Sequence, residues 1–387
     1  MAPAGAVPSP RWAQGQIIVQ RRAGIPEQEF RDMLEFYAAA DRSRIDFIEV
    51  HVLSIQAGQE QVIIQELQDD PAIAFAERDR LVEPAYVPSD THYPNAWHLQ
   101  TLHLPSAWDT TLGTGVTAAV MDAGVNANHE NLAGKLVPGW NAVEGSASDY
   151  SDIHGYGTAA AGIIGAATDN DIGVASVAPA ALIMPVRVSV GPDGSVFTSD
   201  IAAGLIRAAD QDAKVANISY NVTPSLAVAS AAQYMRSRGG VVVVAAGNQS
   251  SDPGYTDSPY MISVSATTPS DSLAGWSNFG NFVDVAAPGQ NIWTTHRNGG
   301  YSAPSGTSFA TPAAAAVVAL IMSTDSSLSP NAVERFSKAA RTIWGRRVSI
   351  PALVMVVSMR LLPLHRLLRG RWSTGYPRSS PRRRILQ

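Results

Sequence analysis

Cysteine is absent from the 387 residues of this sequence. Its absence excludes a disulfide framework, a zinc site built from thiolates, and catalysis by a thiol. The chain also has little net charge, formally only −5. This value gives no reason to expect a nucleic-acid partner. Long apolar runs are also missing, since no stretch reaches the roughly 18 residues that a membrane-spanning helix needs. Apolar residues nevertheless make up 45% of the chain, enough for a large buried core.

A small α/β domain is predicted over residues 16–80, after an N-terminal segment, 1–15, in which no secretory signal is visible. Alternating or helical spacing of apolar residues marks its elements. They are a strand in QIIVQ (16–20), a helix from about Pro26, one long strand in IDFIEVHVLSI (45–55), a helix in QEQVIIQELQ (59–68) and a short strand in AIAFAE (72–77). A linker with several prolines, 81–95, is predicted to end this domain.

A larger domain is predicted over residues 96–340, where short apolar strands alternate with alanine-rich helices. The strands are VTAAVMD, ALIMPVRV, KVANISY, VVVVAAG, MISVSAT and FVDVAAP, and the helices lie near 157–167, 199–211, 224–237 and 308–323. Continuous apolar strands separated by helices indicate an α/β fold with a mostly parallel sheet covered on both faces. Active sites in such sheets lie at the carboxyl ends of the strands.

The last segment, 341–387, has an unusual composition, with eleven arginines and no Asp, Glu or Lys. One interpretation is a basic arm for an anionic partner. The other is that a shifted reading frame produced a tail that is not part of the native fold. We favour the second interpretation because the change in composition is abrupt and the tail has no helical or strand period.

Three stretches place reactive side chains at the end of a predicted strand or the start of a helix. Asp122 follows the strand of VMDAGVNANHENL, where a carboxylate can orient a neighbouring base. Ser308, in SGTSFATP, lies at a helix N-terminus, whose free N–H groups and dipole suit an oxyanion. Asn248, in AAGN, can donate its amide to the same developing charge. Each residue alone could be structural, as a strand-end acid, a helix cap or a turn asparagine.

Together these stretches resemble the subtilisin-like serine protease family over residues 96–340, and GTSFATP is the most specific of them. The resemblance implies a three-layer domain that hydrolyses peptide bonds through Ser308 and an acyl-enzyme. It also implies that 16–80 is an inhibitory, ferredoxin-like propeptide cleaved near 84–92, and that the protein is a secreted or extracytoplasmic monomer without an organic cofactor. An α/β-hydrolase would need its acid and its histidine after the nucleophile. The only histidine after Ser308 is His365, in the arginine-rich tail, so this alternative fails.

The family's histidine motif matches the string GYGTAAAG, so Tyr156 occupies the general-base position. A base needs a pKa near the working pH, which imidazole has and a phenol lacks. An imidazole can engage Asp122 through one nitrogen while the other faces Ser308, and the phenol of a neutral tyrosine lacks such a second nitrogen. His154 is a poor substitute, because it precedes the helix. We therefore expect severely impaired hydrolysis, with a pseudoprotease that binds peptides or a partner protein as the alternative.

The resemblance also implies where substrate and metal bind. Extended peptide would pair with NISYN (217–221), so the predicted substrate-binding residues are Ser219, Tyr220, Asn221 and Gly247. Asn221 stands where the family often has glycine, and the default preference is for apolar or aromatic side chains. The stretch ATDNDIGVASV resembles a calcium loop, with ligands from Thr168, Asn170, Ile172 and Val174. Asn131 replaces the expected carboxylate, which Asp169 or Asp171 could compensate.

Overall fold

The computed structural model describes residues 12–81 and 87–335, and the chain divides into two compact units, Met1–Ala85 and Tyr86–Gln387. The predicted tail 341–387, residues 1–11 of the N-terminal segment and residues 84–86 of the predicted cleavage region lie outside the described residues. Within its described residues, 12–81, the first unit has four strands and two α-helices, namely β1 (Trp12–Arg21), α1 (Glu27–Phe36), β2 (Ala40–Ile45), β3 (Val50–Ser54), α2 (Glu60–Gln68) and β4 (Ile73–Arg80). The strands form an antiparallel sheet in the order β2-β3-β1-β4.

The prediction of one long strand over residues 45–55 was wrong, because the chain reverses inside it. Asp46–Ile48 form a single 3₁₀ turn, and Glu49 follows with a φ of 52°. β2 and β3 then pair antiparallel, with Ile45 opposite Val50. Apolar content alone suggested a continuous strand, but Phe47 lies at the turn and is fully exposed.

The second unit is built on a seven-stranded sheet in which every neighbouring pair is parallel, in the order β11-β10-β9-β8-β5-β7-β6. Its strands are β5 (Thr117–Asp122), β6 (Trp140–Asn141), β7 (Leu182–Arg187), β8 (Val215–Ile218), β9 (Val241–Ala245), β10 (Met261–Thr267) and β11 (Val285–Pro288). Its helices are α3 (Trp97–Thr101), α4 (Leu104–Trp108), α5 (Tyr156–Gly165), α6 (Thr198–Asp210), α7 (Leu226–Ser237) and α8 (Thr307–Thr324). A short hairpin, β12 (Thr294–Thr295) and β13 (Tyr301–Ser302), lies outside the sheet.

The sheet separates two apolar cores, which makes the unit three-layered. Ala118 and Val120 of β5 point into a core shared with α5 and α8. Ala119 and Met121 point to the opposite face, into a core shared with α6 and α7. Strands buried on both faces explain the nearly continuous apolar runs of the sequence.

Helix α8 is long and apolar enough, by length and composition, to cross a membrane, but 72% of it is buried inside the unit. It contacts β8, β9, β10 and β11 and therefore serves as the central core helix on its face of the sheet. Its N-terminus carries Ser308, so a largely buried core helix fixes the position of the predicted nucleophile.

Candidate active site

The predicted reactive residues meet at the carboxyl edge of the parallel sheet. Asp122 is the last residue of β5, Ser219 follows β8, and Asn248 lies shortly after β9. These three strands are adjacent, in the order β9-β8-β5. Ser308, the second residue of α8, is joined to this edge by hydrogen bonds, so elements far apart in sequence form one site.

Asp122 is completely buried and incompletely satisfied. Its Oδ1 accepts a hydrogen bond from the Ala123 N–H at 2.8 Å, whereas Oδ2 has no hydrogen-bond partner within the described part of the chain. Burial raises the pKa of Asp122 to about 7, and the negative charge of Asp152 adds to this shift. The Ala123 N–H and the nearby Ser219 hydroxyl oppose it. Asp122 Oδ2, the oxygen available to orient an imidazole, therefore has no hydrogen-bond donor among the described residues.

Ser308 is bound to the end of β8 rather than to a base. Its Oγ donates to the Ser219 carbonyl oxygen at 2.9 Å, and the Ser219 hydroxyl donates back to the Ser308 carbonyl oxygen at 3.1 Å. Asn217 donates to the Ser219 hydroxyl at 3.0 Å. The hydroxyl proton of the predicted nucleophile thus points to a backbone carbonyl oxygen, which cannot act as a general base.

Asn248 is oriented by Thr307, a residue that sequence reasoning did not single out. Asn248 Oδ1 accepts from both the N–H and the hydroxyl of Thr307, each at 2.9 Å. With its oxygen held, the exposed amide has its N–H₂ end left to donate. The N–H of Ser308 is among the first four of α8, which lack intrahelical acceptors. Two donors are thus available for a developing oxyanion, as in a serine hydrolase.

Tyr156 is the first residue of α5, and its ring contacts two other aromatic rings. It packs edge-to-face on His154 and on Phe309, with ring centroids 4.2 Å and 5.3 Å apart. The side chain is 43% exposed, and within the described residues it makes no hydrogen bond to Asp122 or Ser308. His154 does not replace it, because within the described residues its ring makes no hydrogen bond to Asp122 or Ser308.

The position of residue 156 is set by two local features. Asp152 accepts hydrogen bonds from the backbone N–H groups of Gly155 and Thr158, at 2.6 Å and 2.8 Å, and so caps α5. Gly157 lies so close to the loop after β5 that a Cβ there would come within 1.9 Å of the Gly124 oxygen. The helix start is therefore pressed against the Asp122 loop, which leaves the backbone of residue 156 little freedom.

The predicted substrate residues line the ends of β8 and β9. Tyr220 donates its hydroxyl to the Gly194 carbonyl at 3.0 Å, and burial raises the pKa of this phenol. Asn221 and Gly247 approach one another across the gap between the strands, because a Cβ on Gly247 would lie 3.0 Å from Asn221 Nδ2. The glycine that the family often has is thus replaced by a side chain that enters this gap.

The predicted calcium loop gathers oxygen atoms around Asn170. One terminal amide atom of Asn170 lies 3.0 Å from the Ile172 carbonyl oxygen and 3.2 Å from Asp90 Oδ1. If this amide atom is nitrogen, it donates to the Ile172 carbonyl oxygen and to Asp90 Oδ1. If the amide rotates to place its oxygen there, three oxygens converge, an arrangement that suits Ca²⁺. Asp90 is buried, and burial raises the pKa of its carboxyl. Asn131 is committed to backbone groups, through Ala167 and Val174.

Asp90 was missed because it lies in the segment interpreted as a linker. It, rather than Asp169 or Asp171, supplies the carboxylate beside Asn170, and its Oδ2 accepts from the Asp169 N–H at 2.7 Å. The described residues contain no group of three or more His, Cys, Asp or Glu side chains that could hold a metal. A cation at this loop would therefore depend mainly on amide and carbonyl oxygens.

Comparisons with known proteins agree with the family resemblance of the sequence. The model of the subtilase family matches residues 113–343. The thermophilic serine proteinase of Bacillus sp. strain AK1 is 34% identical over 319 residues, covering 81% of this chain and 79% of that protein. Thermitase of Thermoactinomyces vulgaris is 38% identical over 244 residues, covering 62% of this chain and 86% of thermitase. The solved structure of a cold-adapted subtilisin-like serine proteinase has a TM-score of 0.54 at 38% identity, covering 60% of this chain and 84% of its own.

The chain belongs to the subtilase family, and its larger unit has the subtilisin-like α/β fold predicted from the sequence.

Proposed function

We propose that this protein is a subtilisin-like serine endopeptidase by descent whose peptide cleft persists but whose hydrolysis is severely impaired. The observation that carries the proposal is the environment of Tyr156. Its ring packs on His154 and Phe309, while Asp122 Oδ2 has no partner in the described part of the chain and Ser308 donates to Ser219. The predicted acid, nucleophile and oxyanion donors lie at one edge of the sheet, but among the described residues no base links Asp122 to Ser308.

The loss expected from this arrangement is large. Hydrolysis needs a base that removes the Ser308 proton and later returns it to the leaving amine. In subtilisin, removal of the catalytic histidine alone costs about 10⁶ in turnover, and about 10³–10⁴ over water remains from binding and the oxyanion site. We expect the unaltered chain to lie near that residual level.

Peptide binding is supported by different groups from those that fail in catalysis. The end of β8, with Ser219 and Tyr220, offers a strand edge for an extended peptide, and Asn248 and Ser308 offer donors for its carbonyl. None of these groups requires a general base. A pseudoprotease that captures peptides or a partner protein is therefore the alternative that follows if the cleft is used without cutting.

The substitution Tyr156→His tests the proposal directly. It should raise turnover of a chromogenic peptide by at least about 10³-fold, because an imidazole can bridge Asp122 and Ser308. Tyr156→Phe is the matched control, which removes the hydroxyl and keeps the ring, and it should leave turnover at the level of the unaltered chain. Turnover that stays at the residual level in Tyr156→His would show that more than the base has been lost.

Two further properties belong to the same proposal. Without self-cleavage, the residues 16–80 that resemble the family's propeptide should stay covalently attached, which intact-mass measurement of the purified full chain would show. Secretion beyond the cytoplasm is expected from the family. A monomer is also expected, and size-exclusion chromatography with light scattering would check it.

A calcium ion is the cofactor that we propose for the loop around Asn170. Asp90, Asn170 and the carbonyl oxygen of Ile172 would hold it, with the carbonyls of Thr168 and Val174 as the further predicted ligands. The proposal is supported by the Ile172 carbonyl oxygen and Asp90 Oδ1, which lie within 3.2 Å of the same terminal amide atom of Asn170. The bound ion would supply stability by tying residues 168–174 to Asp90, and no catalytic step is assigned to it.

A further inference from the structure

We propose that Asn221 makes the pocket beside Ser308 selective for peptides with a primary-amide side chain there, in place of the apolar or aromatic preference expected from the sequence. The proposal rests on the proposed function, because it presupposes a cleft that still binds peptide. It concerns which side chain fits next to the scissile bond, and it assigns Asn221 as the residue that determines this specificity.

The register of the sheet places Asn221 beside the nucleophile. In the β8–β9 pair, Ile218 lies opposite Val244, so the same step continued past the strand ends brings Asn221 opposite Gly247. Ser219 is bonded to Ser308. The gap between the two strand ends therefore lies next to the reactive serine, where the proposal places the side chain of a bound peptide.

Three carboxamide side chains surround the backbone of Gly247 at this gap. Gly247 has a φ of 102°, and a Cβ there would lie 2.6 Å from Asn278 Nδ2, 2.7 Å from Gln249 Oε1 and 3.0 Å from Asn221 Nδ2. Asn278 and Gln249 satisfy one another, since Asn278 Nδ2 donates to Gln249 Oε1 and the Gln249 N–H donates to Asn278 Oδ1, both at 2.8 Å. The surroundings of Gly247 are thus polar rather than apolar.

Asn221 differs from the other two amides in having no partner. Its Oδ1 is buried and unbonded, and its Nδ2 also makes no hydrogen bond within the described residues. Burying a carbonyl oxygen without a hydrogen-bond donor costs free energy, and an apolar ligand group beside it does not remove that cost. A ligand that supplies an N–H donor removes that penalty.

A primary amide is the group that satisfies both ends of Asn221. Its N–H₂ can donate to Asn221 Oδ1 while its oxygen accepts from Asn221 Nδ2, which gives a reciprocal pair of hydrogen bonds. Because the partner is neutral, the pair brings no charge into the pocket and costs no ion desolvation. Glutamine has this group on a flexible stem, whereas methionine has nearly the same length and shape without it.

The test compares glutamine with methionine at the residue before the scissile bond, in otherwise identical peptides. In the full chain with Tyr156→His, kcat/KM for the glutamine peptide should exceed that for the methionine peptide by about tenfold or more, as expected for a site whose buried polar group needs a partner. Adding Asn221→Gly should bring the ratio to one or below. The exposed Asn128 supplies the matched control, because Asn128→Gly should leave the ratio unchanged.

Failure of the inference and failure of the proposed function give different results. Cleavage that favours methionine, or a ratio that Asn221→Gly does not change, overturns the role of Asn221 and leaves the proposed function standing. Absence of all cleavage by Tyr156→His contradicts the proposed function. The affinities of the same two peptides for the unaltered full chain, measured by fluorescence anisotropy, then decide the inference: tighter glutamine binding supports it, and equal or absent binding overturns it.

Discussion

The orphaned carboxylate of Asp122 should make the stability of the larger unit depend on pH. Burial raises its pKa from the ordinary 3.8 to about 7 in the folded chain. Between these values the folded state holds a proton that the unfolded state has released. The free energy of unfolding should therefore fall as pH rises through this window, by at most about 1.4 kcal/mol per pH unit.

Asp122→Asn removes this dependence while keeping the bond from the Ala123 N–H. Over a window of roughly three units the linkage amounts to a few kcal/mol at most, so the variant should be more stable than the unaltered chain at pH 8 by up to that amount. At pH 4 the two should be nearly equal. The measurement is melting by calorimetry or fluorescence at pH 4, 6 and 8, at one scan rate and one ionic strength.

The control for this experiment is Asp109→Asn, which removes an exposed carboxylate from the same unit. It should change the melting temperature little at any of the three pH values. The reasoning is refuted if Asp122→Asn melts at or below the temperature of the unaltered chain at pH 8. Such a result would mean that Asp122 is ionised and well paired, which contradicts the account of the site.

The other predictions concern different parts of the same unit. Burial lowers the pKa of His98 to about 3, so the free energy of unfolding should fall as pH drops below about 6.5, where the unfolded chain binds a proton that the folded chain does not. His98→Phe should flatten the acid side of the melting profile, whereas His103→Asn, at an exposed position, should not. In the Tyr156→His background, Asn248→Ala should lower kcat by about 10²–10³ with little change in KM, and an effect confined to KM would contradict its role as an oxyanion donor. Millimolar calcium should raise the melting temperature, and Asp90→Asn should weaken calcium affinity at least tenfold; equal melting in calcium and in chelator would exclude the proposed ion.

The fold of the larger unit was predictable because both helices and strands left clear patterns. Strands buried on both faces read as continuous apolar runs, and GTSFATP identified the start of α8. The hairpin at Asp46–Ile48 was not predictable from apolar content, because Phe47 and Ile48 are exposed at the turn and break the rule that apolar residues are buried.

Within the candidate site, sequence motifs located the residues but not their hydrogen bonds. The string GYGTAAAG placed Tyr156 at the base position, yet only coordinates reveal that its ring packs on His154 and Phe309. Thr307 could have been inferred from its place before Ser308. Asp90 could not, since it lies 80 residues from Asn170 and has no local pattern.

The most direct test of the central claim is peptide hydrolysis by the unaltered full chain, compared with Ser308→Ala. The account predicts that both preparations turn over substrate at the same residual level, because the hydroxyl of Ser308 has no group to receive its proton. Rapid hydrolysis by the unaltered chain that disappears in Ser308→Ala would contradict it.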